Sequence, residues 1–543
     1  VIHGFGKLPA MPVGVSLPSR QSREHGSVFA KRVSAELPSL SHAAAAVLSA
    51  VLLILSFPNF DLSPLAWIAL VPLFSVIALN PRLIRGFVLG WLFGTIFFYG
   101  SCYWLTYSMI HFGGIRPVLA YIVLLPGALI MGMFPAVCAM ALAFAIRRLG
   151  ITAVFSASVL WPATEWIRLA LTGQLWNALG YSQAYHPSLI QLARFGGVYA
   201  VSFLIVIVNA AVAYIWLKRT KFDLAVATSA LAGLALLVVA LNRTSSIAST
   251  EKAHATVVAI QPNVPMDLVK SGDDMRMLTA RHFELSESAL EKLPADGKPR
   301  LIIWPESPMN FTYGTDALLR TRLGDFARVH NASVLFNSQE AAPNDGIYNS
   351  AVLINQQGSL AAQYDKIRLL PFGEYVPLPR WMPGAGLIGA IVGDFTPGTS
   401  YRLMSIGVVR AGVFICVESA YPSIARTFTR EGADVLINIS NDGYLGPTAV
   451  MRQHLANAVF RAVENQRPLL RVTNTGISAY ITPRGEVTDA TPGFQPAVRV
   501  WSLTRSDGTS TFYSSHGDVF VALCGIVSLL VLALSAGKTA RRV

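Results

Sequence analysis

Two patterns of apolar and polar positions divide the chain. From about residue 42 the apolar residues come in long runs, near 42–57, 62–79, 84–110, 118–146, 151–171, 198–217 and 223–241, with an eighth near 519–536. Several approach or exceed the roughly 20 residues that cross a bilayer as a helix, and the shorter ones have apolar flanks. Between residues 255 and 505 the pattern changes. Short β-rich runs recur at Thr256–Ile260, Leu301–Trp304, Ser333–Phe336, Ala351–Ile354, Val408–Ile415, Val435–Asn438 and Leu469–Thr473. Helical patterns such as Met275–Leu293 and Arg452–Gln466 lie between several of them. Strands alternating with helices predict a layered α/β domain. No internal repeat is apparent. The expected organisation is a disordered basic tail over 1–41, seven transmembrane helices over 42–241, an α/β domain over 242–518, and an eighth span with a tail over 519–543.

Charge orders the spans. Arg82 and Arg85, Arg147 and Arg148, then Lys218, Arg219 and Lys221 fall in alternate loops, and the N-terminal Arg20, Arg23, Lys31 and Arg32 and terminal Lys538, Arg541 and Arg542 fit the same side. Opposite loops, such as Pro58–Ser63, are poor in Lys and Arg. The positive-inside rule therefore predicts cytoplasmic termini and an external 242–518 segment. Only 13% of the 543 residues are charged, against about 25% in an ordinary soluble domain, which agrees with extensive lipid contact. The net charge of +13 belongs to these topological clusters, so no nucleic-acid partner is expected. No CxxC pair, His-rich tract or Walker-type loop occurs, and neither a metal nor another cofactor is expected.

One thiol stands apart. Three of the four cysteines, Cys102, Cys138 and Cys524, lie inside long apolar segments, whereas Cys416 ends the β-like run Gly407–Ile415 and is followed at once by polar and turn-forming residues. A buried structural cysteine is the plain alternative. Glu306, in Trp304-Pro-Glu-Ser-Pro308, follows another strand between two restricting prolines. Such a carboxylate can take a thiol's proton and return it to a leaving group; alone, it also reads as a solvated turn residue. Lys366 ends a third β-like run and lies in Tyr364-Asp-Lys-Ile-Arg-Leu-Leu-Pro-Phe-Gly-Glu-Tyr-Val-Pro377. Its three donors suit an oxyanion or a thiolate, although a lone lysine is more often exposed. Glu374 is placed to hold that lysine or the incoming nucleophile. Glu418 adds a second acid two residues past the thiol, in a position that is usually solvated. The N–H of Val417 is the natural oxyanion donor.

Together these residues resemble the nitrilase superfamily, whose α-β-β-α sandwich carries a Glu-Lys-Cys triad; the resemblance gives Glu306, Lys366 and Cys416 those places. It extends to Asn438-Ile-Ser-Asn-Asp442 and to Arg461–Ser478, and Asn349 and Asn441 are expected as supporting residues. The membrane segments choose the branch. Seven apolar spans, an external nitrilase-like domain and one final span look like the apolipoprotein N-acyltransferase family. Pro371-Phe-Gly-Glu-Tyr-Val-Pro377 and Trp176-Asn-Ala-Leu-Gly-Tyr-Ser-Gln183 resemble that branch specifically. Where the branch often has Cys-Tyr-Glu, Ala-Trp-Phe-Gly and Gly-Phe-Pro, this chain has Cys416-Val-Glu418, Gly443-Tyr-Leu-Gly446 and Gly173-Gln-Leu175.

The resemblance implies a bacterial inner-membrane acyltransferase with its catalytic domain on the periplasmic side. It implies a phospholipid acyl donor, a thioester on Cys416, and a diacylglyceryl apolipoprotein as acceptor. Trp176, Tyr375, Trp381 and Tyr444 are candidate substrate contacts, and 379–391 reads either as an apolar flap or as a plain connecting loop. Trp176 alternatively reads as an interfacial anchor, and His454 as a polar or capping residue rather than a base. Two rival functions stay open: a membrane-anchored carbon–nitrogen hydrolase using the same triad with water, and a transporter whose external domain only binds.

Overall fold

The computed structural model describes residues 37–218, 220–243, 253–266, 270–376 and 394–538. The N-terminal part is helical: α1 (Leu40–Leu55), α2 (Val71–Leu79), α3 (Leu83–Ser101), α4 (Leu105–His111), α5 (Pro117–Leu149), α6 (Ala157–Thr172), α7 (Pro187–Ile190), α8 (Ala193–Lys218) and α9 (Lys221–Arg243). Among the described residues α3, α5, α8, α9 and one later helix are long and apolar enough to cross a membrane. The runs near 42–57, 62–79 and 151–171 make shorter helices, two of them entered through 3-10 turns at Ser63–Trp67 and Ile151–Ser156. The run expected over 84–110 is broken after Ser101 and resumes as the short α4.

Small residues set the tightest helix pair. Gly86, Gly90 and Gly94 recur every four residues along α3 and meet Ala143, Ala139 and Gly132 of α5; a methyl added at Gly90 would stand 2.6 Å from the Ala139 Cβ. Between lipid-facing helices burial supplies little drive, so close backbone approach matters more. The basic helix ends gather: the Arg148 side chain hydrogen-bonds the Lys538 carbonyl, and Arg85 Nη2 donates to the Leu37 carbonyl at 3.1 Å.

The second part is a sandwich of two six-stranded mixed sheets. The first sheet, in the order β12-β1-β2-β3-β4-β5, contains β1 (Ala255–Gln261), β2 (Arg300–Ile303), β3 (Ala332–Ala341), β4 (Ile347–Ile354), β5 (Leu360–Asp365) and β12 (Ala497–Leu503). The other, β11-β10-β9-β8-β7-β6, contains β6 (Leu403–Ile406), β7 (Val409–Ile415), β8 (Val435–Ser440), β9 (Leu469–Thr473), β10 (Ala479–Ile481) and β11 (Val487–Thr488). Helices α10 (Gly272–Leu290) and α11 (Ala317–His330) connect the parallel β1, β2 and β3. Helices α12 (Pro422–Arg430) and α13 (Val450–Asn465) do the same for β7, β8 and β9. In each sheet two antiparallel strands follow the parallel trio and one more antiparallel strand borders its first member. The architecture therefore repeats although no repeat is legible in the residues.

Alternation fixes which face goes where. On β1, Val257 and Ala259 enter the core shared with β7 and its neighbours, whereas Val258 and Ile260 pack among Leu278 and Phe283 of α10 and Leu323 and Phe326 of α11. A one-residue slip would exchange the two sets. After β12 the chain returns through α14 (Phe512–His516) into the last apolar helix, α15 (Val519–Ala536).

The seam between helices and sandwich runs along α13. Its Glu464 Oε1 accepts from Arg461 Nη2 at 2.8 Å and from the Val198 N–H at 3.0 Å, where α8 leaves helical geometry at Gly196 and Gly197. One turn in from the other end, Gln453 Oε1 accepts from the indoles of Trp104 and Trp176 at 3.0 and 2.9 Å. Its Nε2 donates to the Pro58 and Ser101 carbonyls, both at 3.0 Å. Every hydrogen-bonding site of this amide is used, and one continuous apolar core joins both parts. Replacing Gln453 by Leu leaves two indole N–H groups without that acceptor; the full chain should lose about 2–4 kcal/mol of stability, measured by unfolding in detergent.

Candidate active site

Three strand ends meet. Glu306 lies three residues beyond β2, Lys366 directly follows β5, and Cys416 directly follows β7. Cys416 has φ +51°, in the left-handed region that a non-glycine residue occupies at some energetic cost. The turn Cys416–Ala420 is a single 3-10 segment opening against α13.

The lysine is not exposed: Lys366 retains 1% of its accessibility. Its Nζ lies 2.8 Å from Glu374 Oε1 and 3.7 Å from Glu306 Oε1. Burial works against its charge, but the Glu374 and Glu306 carboxylates and the Cys416 sulfur outweigh burial, and the ammonium is held above the ordinary lysine value. Glu374 therefore holds the lysine, and its other oxygen accepts the Leu370 N–H at 2.7 Å. Asn349 ties the two acids together, donating to Glu306 Oε1 at 3.0 Å and Glu374 Oε1 at 2.7 Å. Its own oxygen is held by Asn337 Nδ2 at 2.7 Å. The second Glu306 oxygen accepts the Asn441 N–H at 3.1 Å. Glu306 is thus fixed from both sides while its side chain keeps 15% exposure.

Cys416 is half-buried. Burial pushes its thiol well above the usual value; the Glu306 carboxylate adds to this and the Lys366 ammonium opposes it. The thiol thus feels a fixed carboxylate and a fixed cation at once.

Glu418 departs from expectation. It is fully buried, and its Oε1 accepts from Tyr364 Oη at 2.9 Å and the N–H groups of Ile367 and Arg368 at 2.8 and 3.0 Å. Its Oε2 accepts the Ile415 N–H at 2.8 Å. Rather than a solvated acid, it is a clasp between the lysine loop and the strand that presents Cys416. His454 likewise turns away from the thiol: Nδ1 meets Asp442 Oδ1 at 2.8 Å and Nε2 meets the Cys416 carbonyl at 3.0 Å. Burial and the Arg471 guanidinium lower its pKa, against these two acceptors. Asp442 is locked by two contacts from Arg471 Nη2, at 2.9 and 3.1 Å. Although burial favours its neutral form, Arg471 and His454 hold Asp442 well below the usual carboxylate range.

The remaining candidates fall in different surroundings. Tyr444 is 45% exposed and packs edge-on against Phe112, centroids 5.7 Å apart, just beyond α4, whose Ser108 donates to the Tyr444 carbonyl at 2.6 Å. Trp176 is half-buried, bonded to Gln453 and packed 5.5 Å from the rings of Trp104 and His454; it belongs to the seam rather than standing out as an anchor. The Tyr375 carbonyl accepts the Phe372 N–H at 2.8 Å, closing the turn that carries Glu374. Val417 is buried directly beside the thiol. Trp381 and the whole 379–391 segment lie outside the described residues. Asn337, Tyr364, Gln453 and Arg471 were not singled out from sequence; all but Asn337 lie in segments already marked, the Tyr364–Pro377 run, the helix after Asp442 and the run through Ser478.

Residues 256–512 match the family model for carbon–nitrogen hydrolases, and this half is a nitrilase-type sandwich. Residues 49–211 match the apolipoprotein N-acyltransferase N-terminal domain. Over 503 residues the chain is 34% identical to the apolipoprotein N-acyltransferase of Geobacter metallireducens, covering 90% of this chain and 94% of that protein. Over 484 residues it is 29% identical to that of Agrobacterium fabrum, covering 85% and 88%. Among solved structures, yeast (Saccharomyces cerevisiae) Nit3, a member of branch 10 of the nitrilase superfamily, is 18% identical with a TM-score of 0.36, over 47% of this chain and 93% of that one. The chain belongs to the apolipoprotein N-acyltransferase family, and it is a membrane protein and an acyltransferase.

The clasp is testable. Glu418→Gln puts an amide NH₂ among groups that donate to the carboxylate; acyl transfer should fall by at least about tenfold, measured as initial rate, with the chain still folded by circular dichroism.

Proposed function

We propose that the chain transfers a fatty acyl group from a membrane phospholipid to the α-amine of the lipid-modified N-terminal cysteine of apolipoproteins, through a thioester on Cys416. The observation that carries this reading is the buried Lys366 held against Glu374 and Glu306, with the Cys416 thiol subject to the charges of both Glu306 and Lys366. The relatives' names supply the acceptor class.

The thiol proton passes to Glu306 as the sulfur attacks the donor's ester carbonyl. Burial disfavours creating a thiolate by losing the proton to water, but transfer to Glu306 moves one negative charge without changing the total. The oxyanion forms against Lys366 Nζ and the Val417 N–H. Collapse breaks the ester bond, and the lysophospholipid alkoxide leaves with the proton from Glu306. The acceptor amine then loses a proton to Glu306 and attacks the thioester, forming the amide and restoring the thiol. Asn349, Asn441, Glu374 and Glu418 are positioning residues. Trp176, Tyr375, Trp381 and Tyr444 are the residues proposed along the path of the acyl chains.

The proposed setting is the bacterial inner membrane, with residues 42–241 as seven spans, 519–536 as the eighth, 242–518 on the periplasmic side, and both termini in the cytoplasm. The alternating basic clusters support it, and so does the contact between Arg148 and Lys538. Tethering at both ends keeps the site near substrates that stay in the bilayer.

Full-length protein in detergent, given phospholipid and a diacylated lipopeptide, should yield the N-acylated amide with parallel double-reciprocal plots. Glu306→Gln should lower kcat by about 10²–10⁴. Release of free fatty acid without amide, or cleavage of an added amide, would mean that the site is a hydrolase.

A further inference from the structure

A second polar cleft lies away from Cys416. It has a volume of about 720 Å³ and is lined by Arg410, Arg430, Arg467 and Arg505 with Asp434 and Asp507, so four formal positive charges face two negative ones. Both aspartates already accept other hydrogen bonds, and Asp434 Oδ2 also lies 4.0 Å from Arg410 Nε. Asp434 accepts the N–H groups of Arg410 at 2.8 Å and Ser506 at 3.0 Å, and Asp507 accepts the N–H and hydroxyl of Thr509 at 2.9 and 2.7 Å. Arg467 is buried, donating to the Ala433 and Thr509 carbonyls at 2.8 Å each. Arg410 lies across Gly432, where an added Cβ would come within 2.6 Å of its Nη2. Arg430 and Arg505 are exposed, and among the described residues neither guanidinium has a hydrogen bond or an ion pair. One buried cation, one cation paired with Asp434 and two uncommitted forks therefore line one opening.

Its position says what reaches it. Ser515 also lines the cleft and comes four residues before α15. Arg430 ends α12, whose Arg426 pairs at 3.5 Å with Asp518, the residue before α15. The cleft thus stands beside the start of the last apolar helix, which is long and apolar enough to cross a membrane. Arg410 is six residues before Cys416 along β7, about 20 Å away, too far for a group held here to be the ester under attack at that sulfur.

We propose that this cleft binds the phosphate of an anionic membrane phospholipid, as a site separate from the reaction centre. Planar guanidinium forks match phosphate oxygens two at a time, and cations at the membrane surface meet anionic head groups at high local density. The inference requires only that α15 enters a bilayer, not that the triad works as proposed.

The test uses full-length protein in a neutral detergent, with retention of short-chain phosphatidylglycerol, short-chain phosphatidylcholine and inorganic phosphate followed by native mass spectrometry. The expected result is saturable one-to-one retention of phosphatidylglycerol above phosphatidylcholine, weakened by about tenfold in Arg430→Gln/Arg505→Gln and unchanged in Cys416→Ala. Both arginines are exposed, and a matching unfolding temperature for the double variant confirms an intact fold. Equal retention by the double variant, or loss in Cys416→Ala, overturns the proposal. Inorganic phosphate binding as tightly as the lipid also overturns it, making the cleft a site for free phosphate.

Discussion

An ammonium shut away from water survives in a folded chain only where carboxylates are held against it. Lys366 is such a group, and much of the site follows from keeping it. Glu374 lies at 2.8 Å and Glu306 at 3.7 Å, and neither distance would persist if the acids were free to turn outward. Asn349 prevents that by bonding both, and Asn337 fixes Asn349 in turn. The cluster carries one more negative charge than positive. In the proposed chemistry a proton moves inside this enclosure and the total charge stays constant, so a buried site can generate a nucleophile without solvating it.

The same enclosure depends on two sheets holding register. Glu306 and Lys366 come from the first sheet and Cys416 from the second, so a small slide of one sheet over the other would separate base from nucleophile. Glu418 resists that slide by accepting from the Lys366 loop and from β7 together. The helical part adds a second restraint through α13. Gln453 is bonded to four groups of that part, and the adjacent His454 reaches the Cys416 carbonyl. The nucleophile is thereby linked, through two consecutive residues, to the helices that enter the bilayer.

The runs Val408–Ile415 and Leu469–Thr473 were legible as strands because they are apolar, β-branched and bounded by polar residues; β7 and β9 occupy almost the same positions. The short edge strands β6 and β11 lack such a run, and β12 exposes Val500 and Ser502 around the buried Trp501, so none of them stood out. Glu306, Lys366 and Cys416 were legible together because each follows a strand. The burial of Glu418 was not legible because its four partners are backbone groups and a tyrosine that only folding brings near. Gln453 was invisible for a stronger reason: its partners are 277 to 395 residues away. The repeated strand order escaped notice because pairing direction leaves no signature in residue identity. The unbroken 84–110 run concealed the break at Cys102, where the chain turns toward the seam.

The central claim is that Cys416 itself carries the acyl chain between donor and acceptor. Intact mass and peptide mapping of the full-length protein, after incubation with phospholipid and no acceptor, tests it directly. The account predicts one added fatty-acyl mass that maps to Cys416, disappears on adding the lipopeptide, and never forms in Cys416→Ala. An unmodified protein that still transfers acyl groups, or an adduct on Cys102, Cys138 or Cys524, would contradict it.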